Sequence, residues 1–478
     1  MVKQKRDLHG TKSVIRTLEG LLEVALLVCM YFIFWRNGYG LGIFPAYFGM
    51  GKYVLCGVYA LLIVVLFVNF DGFKFGYLKT TDEIISQWLA LLITNFITYW
   101  QLCLIANVLI TPGPLIVLMA VDMVVSAVCA YCFSLVYHHL YVPKNMVMIY
   151  GNESAIALKI KMDNRYDKYH ITKLIPATAK REYIFANLSN YDAVIISDVV
   201  AELRNDILKY CYAHQIRTYV APKISDIILG GATDITLFDT PLLLVRGRGL
   251  SASQRFVKRT FDLVLCAIAF VLALPVMVCI AVAIKLEDGG PIFFKQKRAT
   301  INGSEFEMLK FRSMIPDAEK NGEVIPAVEN DPRITKVGKF IRQCRLDELP
   351  QLINILKGEM SIVGPRPERL EHIKMYSDEI PEFAFRLKIK GGLTGYAQIY
   401  GKYNTSPYDK LRLDLMYIEK YSLLLDLKLI LMTIRILLKR ESTAGFDEQA
   451  ALQAQVASIL AQMENVEEFE EELIAAGK

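Results

Sequence analysis

Lys258–Asp288 reads KRTFDLVLCAIAFVLALPVMVCIAVAIKLED. Between the Lys258-Arg259 pair and the closing Lys285-Leu286-Glu287-Asp288, the stretch Phe261–Ile284 carries one charge, Asp262. Its length permits a membrane crossing, since about 20 apolar residues span a hydrocarbon core of about 30 Å. A crossing here would strand every later residue on the far side of the membrane. Pro275 stands near the middle; it removes a helical hydrogen bond and can bend the helix sharply. Charges at both ends let both ends lie at one interface. The stretch therefore predicts a helix over 258–286 that dips into the bilayer and returns, with Lys258, Arg259, Asp262 and Pro275 as anchors and bend. A kinked full span is the alternative.

Upstream, residues 1–142 hold four apolar segments: Leu18–Phe34, Tyr53–Phe70, Ile84–Ile110 and Leu115–Leu140. Each is long enough to cross, and the turn Thr111-Pro112-Gly113-Pro114 makes a hairpin of the last two. The start (Lys3, Lys5, Arg6), the loop with Lys74 and Lys79, and the exit with His138, His139 and Lys144 are basic. By the positive-inside rule the N-terminus and the downstream domains are expected on the cytoplasmic face of a cell membrane. A cleaved signal is not expected, because no small-residue cleavage site follows the basic start. The composition agrees: 54% of the 478 residues are hydrophobic, and the net charge of +5 clusters beside apolar segments. That placement favours a lipid bilayer with anionic headgroups over nucleic acid. Nine cysteines, mostly within apolar runs, are expected as reduced thiols, the Cys129/Cys132 pair included.

Over 143–250 the pattern changes to strand-like runs (Met146–Tyr150, Ala193–Ile196, Thr218–Ala221) alternating with helical ones such as Glu202–His214. This rhythm predicts a parallel sheet covered by helices. The first turn, Gly151-Asn152-Glu153-Ser154, has one glycine where a dinucleotide turn needs three, so a degenerate Rossmann-like domain without a tightly bound cofactor is expected.

Residues 251–440 hold the chemistry. Phe306–Lys320, FEMLKFRSMIPDAEK, reads as a strand with Lys310 and Arg312 on a basic face, broken at Pro316 before Asp317 and Glu319. Cations can hold phosphate oxygens, and a carboxylate can act as nucleophile or metal ligand. The tail 441–478 is acidic and expected to be helical.

Several motifs then follow in a known order. Lys258-Arg259-Thr260-Phe261-Asp262 opens it. Gly290-Pro291-Ile292-Phe293-Phe294-Lys295-Gln296-x-Arg298 and Lys310-Phe311-Arg312-Ser313-Met314 come next, followed by Leu346-Asp347-Glu348-Leu349-Pro350-Gln351. Val363-Gly364-Pro365-Arg366-Pro367-Glu368 and Gly392-Leu393-Thr394-Gly395-Tyr396-Ala397-Gln398 close it. Together, over Gln254–Arg440, they resemble the bacterial sugar transferases, the monotopic polyprenyl-phosphate phosphoglycosyltransferases, in the large form that initiates exopolysaccharide or capsule synthesis. The resemblance implies transfer of sugar 1-phosphate from a UDP-sugar to undecaprenyl phosphate with release of UMP, through a covalent phosphosugar on a carboxylate and with magnesium. It implies Asp317 as nucleophile and metal ligand and Glu319 as its helper. Lys295, Gln296, Arg298, Lys310, Arg312, Arg366 and Gln398 are implied for the phosphates and nucleotide. A homo-oligomer is open.

The chain departs from the family at three points. Asp317 and Glu319 are separated by Ala318 where an adjacent Asp-Glu pair is usual, Thr300 replaces a glycine, and Gly391 replaces a proline. Arg366 is read either as a rigid phosphate clamp between two prolines or as a partner of Asp347 or Glu348, and those two acids equally as caps of a helix near Leu349-Pro350. Two other functions compete. A nucleotide-sugar oxidoreductase is opposed by the missing glycines, and a catalytically inactive scaffold by the retained Lys310, Arg312, Asp317, Glu319 and Arg366.

Overall fold

The structure, a computed structural model, describes residues 7–38, 50–76, 79–140, 143–247, 249–315, 331–401, 405–437 and 454–459. Asp317, Glu319 and most of the acidic tail lie outside the described residues; 454–459 are helical. The chain forms two compact units, Met1–Lys144 with Arg165–His170, and Asn145–Asn164 with Ile171–Lys478.

The first unit contains helices α1 (Asp7–Gly38), α2 (Gly51–Asn69), α3 (Thr80–Ala106) and α4 (Gly113–Leu140), each long and apolar enough to cross a membrane. α2 buries Leu55, Tyr59, Ile63 and Phe67 at four-residue spacing, while Val54, Leu61 and Val68 on other faces stay exposed. A helix apolar all round belongs in lipid. The polar residues point inward instead. Tyr59 donates to Asp122 at 2.8 Å, and Gln87 donates to Glu23 at 3.2 Å and to the Gly72 carbonyl at 3.1 Å. In lipid, where apolar surface gives no drive between helices, such contacts join them.

The second unit opens with β1 (Lys144–Tyr150), α5 (Ser154–Asp163), β2 (Tyr169–Pro176), α6 (Arg181–Leu188), β3 (Ala193–Ser197), α7 (Ala201–Ala213) and β4 (Arg217–Val220). The strands form one sheet in the order β2-β1-β3-β4, and β3 runs parallel to both β1 and β4. Every residue of β3 is buried, which explains why Ala193–Ser197 reads as an unbroken apolar run ending in one serine. Ile184 and Leu188 of α6 and Leu203 and Ile207 of α7 pack on Val147, Ile149, Val194 and Ile196. After α8 (Ile224–Leu229), β5 (Thr233–Leu237) and β6 (Thr240–Leu244) form an antiparallel hairpin. Its turn residues Phe238 and Asp239 both have positive φ, the geometry that matches strand twist.

α9 (Ala252–Asp288) contains the whole apolar stretch around Pro275. Ser251 and Gln254 form a capping box at its start, Gly289 at φ 70° ends it, and the helix runs unbroken through Pro275. The remaining elements are β7 (Phe293–Ala299), β8 (Glu305–Phe311), α10 (Lys336–Gln343), α11 (Gln351–Lys357), β9 (Ser361–Val363), α12 (Leu370–Glu379), β10 (Gly392–Thr394), α13 (Tyr396–Tyr400), α14 (Pro407–Glu419) and α15 (Leu423–Leu437). β7 and β8 pair antiparallel, with Phe294 opposite Lys310; β9 and β10 pair in parallel.

Both halves of α9 rest on this one set of elements. In the first half, Lys258 bonds Asp426 of α15 at 2.6 Å, and Asp262 accepts from the Ser361 hydroxyl at 2.7 Å. Arg259 donates to the Ile355 and Leu356 carbonyls at the end of α11, where a cation suits the helix terminus. In the second half, Met277, Ile280 and Ile284 pack on Phe311 and Ile341, and Arg312 pairs with Asp288. The opposite face of α9 exposes Ile268, Val271, Leu272, Val278 and Leu286.

Candidate functional site

On β8, residues Phe306, Met308 and Lys310 share one face by the strand's period of two, and the first two are core residues packed near Leu352 and Ile355 of α11. Lys310 extends that buried row and ends it with an ammonium. Its partner is Glu348, in a 3-10 turn over Leu346–Glu348. Arg345, just before the turn, holds φ 54°, left-handed backbone that is uncommon for a non-glycine residue.

The third element is the loop after β9. Gly364 and Gly392 bring the two backbones so close that a Cβ on either would strike main-chain atoms of the other segment. Gly364 N–H bonds the Thr394 carbonyl and Gly392 N–H the Pro365 carbonyl, each at 2.9 Å. The loop presents Arg366, whose guanidinium donates to Glu348 at 2.7 Å and to Gln398 Oε1 of α13 at 3.3 Å. Gln398 Nε2 is buried with no hydrogen-bond partner among the described residues. Unmet buried donors cost energy, so a ligand acceptor there would be favoured.

Lys310 and Arg366 both bond the same oxygen, Glu348 Oε1, so Oε2 makes no hydrogen bond to a described residue. Burial alone would raise the Glu348 carboxyl, but Arg366 and Lys310 hold it well below the usual carboxylate range. The neighbouring Asp347 forms no hydrogen bond with a described residue. Burial pushes its carboxyl up, Glu348 adds to the rise, and Lys310, Arg342 and Arg366 only partly oppose it. Two adjacent carboxyls are thus driven apart by their surroundings, one spent on cations and one left available.

Of the residues singled out in the sequence, the structure joins Lys310, Arg366 and Gln398 around this pair. Arg298 and Gln296 bond each other, and Arg298 also reaches the Pro367 carbonyl at 3.2 Å, so both support the loop from β7. Lys295 lies exposed on the hairpin, paired with Glu307 at 2.9 Å. Arg312 is buried and paired with Asp288, so it locks the end of α9 and does not meet Glu348. Lys258, Arg259 and Asp262 anchor α9. Asp317 and Glu319 lie outside the described residues.

The sequence offers Asp347 and Glu348 as caps of a helix near Leu349-Pro350 or as partners of Arg366. The cap does not form: α11 begins at Gln351, with Pro350 before it and no side-chain bond. The Arg366 pairing does form. The signal that points to Asp347 was present, an adjacent Asp-Glu pair, but it stands far along the chain from β8. The other two departures touch each other: the Gly391 N–H donates to the Thr300 hydroxyl at 3.3 Å, and Thr300 donates to the Glu359 carbonyl at 2.9 Å. A proline at 391 would have no N–H for that bond, so threonine and glycine fit as a pair.

The family described as bacterial sugar transferase matches residues 253–440. The UDP-glucose:undecaprenyl-phosphate glucose-1-phosphate transferase of Escherichia coli (strain K12) is 41% identical over 211 residues, 43% of this chain and 44% of that protein. The UDP-N-acetylgalactosamine-undecaprenyl-phosphate N-acetylgalactosaminephosphotransferase of Aeromonas hydrophila is 37% identical over 257 residues, 52% and 60% of the two chains. The uncharacterized sugar transferase EpsL of Bacillus subtilis (strain 168) is 39% identical over 186 residues, 39% of this chain and 89% of that protein. The chain spans about half the length of the first two relatives.

Proposed function

Because this chain belongs to the bacterial sugar transferase family, we propose that it transfers a sugar 1-phosphate from a UDP-sugar to undecaprenyl phosphate and releases UMP. The observation that carries this reading is the acid pair in its frame of cations: Glu348 held on one oxygen by Lys310 and Arg366, with Asp347 open beside it. Asp347 attacks the sugar-bearing phosphorus, the bond from that phosphorus to the bridging oxygen breaks, and UMP leaves with that oxygen. An oxygen of the lipid phosphate then attacks the same phosphorus and frees Asp347. Lys310 and Arg366 stabilise charge on the transferring group, and Gln398 Nε2 supplies a neutral donor.

Magnesium, implied by the family resemblance, binds through one or two carboxylates plus substrate phosphates. No group of three or more metal-ligating side chains occurs among the described residues, but that mode does not need one. The open Oε2 of Glu348 fits it, and the ion would offset diphosphate charge there. Membranes carrying the full chain, given labelled UDP-glucose or UDP-N-acetylgalactosamine and undecaprenyl phosphate, are expected to yield a labelled lipid and UMP. An absence of transfer with every UDP-sugar tried would refute the reading.

α9 is read as re-entrant, because Lys258 at one end and Asp288 at the other are held by the same domain while the outer face is apolar. With the basic inner loops this supports a catalytic domain on the cytoplasmic side. A cysteine introduced at Ser377 of α12 should resist an impermeant thiol reagent in intact cells; ready labelling would mean that α9 crosses fully.

The sheet order β2-β1-β3-β4 supports a degenerate Rossmann-like reading of the middle part. Where β1 and β3 diverge, Ser154 bonds Asp198 at 2.6 Å, and Arg412 of α14 approaches the other Asp198 oxygen at 3.3 Å. Gly151 lies against the Asp198 carbonyl, with no space for a pyrophosphate between them. Titration of the full chain with NAD should show no sub-micromolar binding; such binding would overturn this.

A further inference from the structure

The Arg366 loop is held from behind by a second arginine. Arg386 is 3% exposed and Asp414 of α14 is 1% exposed. Arg386 grips Asp414 through Nε at 3.0 Å and Nη2 at 2.8 Å, and the same Nη2 donates to the Arg366 main-chain carbonyl at 3.0 Å. Its guanidinium lies over the Phe383 ring at 5.0 Å, and Nη1 is 3.6 Å from Glu368, two residues past Arg366 in the loop. We propose that Arg386, fixed by Asp414, is a positioning residue that sets the Arg366 main chain so that the Arg366 guanidinium stays on Glu348.

The geometry excludes simpler roles. Arg386 is almost wholly buried, with its donors turned to Asp414 and the Arg366 carbonyl, so it is not placed to meet substrate. Arg386 is also more than a space-filler. A lysine could pair with Asp414 but could not grip it with two nitrogens and reach the Arg366 carbonyl at the same time, because only the planar guanidinium presents that fork. The carbonyl contact acts on a backbone already stiffened by Pro365 and Pro367, so a small shift at Arg386 is passed to Arg366 with little absorbed between.

The inference rests on the functional reading above, in which Arg366 and Glu348 serve the reaction. Its readout is the coupling of Arg386 to Arg366 in a double variant together with the split between kcat and KM, since a merely structural loss would add to any loss at Arg366.

The test uses full-length chain in membranes, with UDP-glucose and undecaprenyl phosphate, in wild type, Arg386→Lys, Asp414→Asn, Arg366→Lys and the Arg366→Lys/Arg386→Lys double variant. Arg386→Lys should lower kcat about 10–100-fold, the scale of a displacement near 1 Å. Its KM for UDP-glucose should stay within about threefold of wild type, since the contact it disturbs stabilises charge on the transferring group. Adding Arg386→Lys to Arg366→Lys should cost no more than about threefold further, because both act through one contact. Asp414→Asn, which keeps shape, should give the same fall in kcat with KM held, in smaller degree, and decides the matter if Arg386→Lys does not accumulate. Losses that multiply in the double variant, or a KM that rises in step with the fall in kcat, would overturn the proposal and leave the functional reading intact. A wild type inert with every UDP-sugar would overturn both.

Discussion

Asp347→Asn should abolish transfer, lowering the rate on the order of 10⁴-fold or more, as loss of a catalytic nucleophile does. The substitution keeps the size of the side chain and removes the charge that attacks phosphorus. It should not harm folding, since Asp347 makes no hydrogen bond to a described residue and its carboxyl is already disfavoured by burial. Amounts in the membrane should therefore match wild type. Asp317→Asn provides the contrast. If Asp347 is the nucleophile, Asp317→Asn retains at least a hundredfold more activity than Asp347→Asn; the reverse order would return the role to Asp317.

Lys258→Met should cause the largest loss of stability. The Lys258–Asp426 pair is nearly inaccessible, with Asp426 also bonded by the Tyr417 hydroxyl at 2.6 Å. Removing one partner of a buried pair costs about 3–5 kcal/mol, because the other charge stays buried and uncompensated. Burial already raises the Asp426 carboxyl, and Lys258 is the largest influence opposing it. Without Lys258 the carboxyl rises further. A folded-state pKa raised above the unfolded one disfavours the charged form, so the variant is least stable at neutral pH and recovers as pH falls through the raised pKa. Thermal unfolding in nanodiscs between pH 8 and 5 should show the variant gaining on wild type toward acid. Lys258→Met/Asp426→Leu should recover much of the loss at neutral pH. A deficit that is constant with pH would contradict this account of the anchor.

The apolar helices and the alternation of strands with helices were legible in the sequence, because runs of about 20 apolar residues and period-two strands are local signals. The convergence of Lys310, Arg366 and Gln398 was legible only through motif order, since nothing local joins residues so far apart. Three features were not legible. Arg312 was read on the strand's basic face, but β8 ends at Phe311, and the side chain turns to Asp288 instead. An acid pair next to β8 along the chain leads to Asp317 and Glu319, whereas Asp347 follows the left-handed Arg345 and comes near Lys310 of β8 only in the folded chain. Glu23, Gln87 and Asp122 sat inside apolar runs, and their mutual burial appears only when the helices pack.

The covalent step is tested most directly by incubating the wild-type chain with UDP-glucose, without undecaprenyl phosphate, and mapping the protein by peptide mass spectrometry. UMP release should accompany a hexose-phosphate adduct on the peptide containing Asp347, absent in Asp347→Asn and discharged when undecaprenyl phosphate is added. An adduct on the peptide containing Asp317, or transfer to lipid without any adduct, would contradict the account.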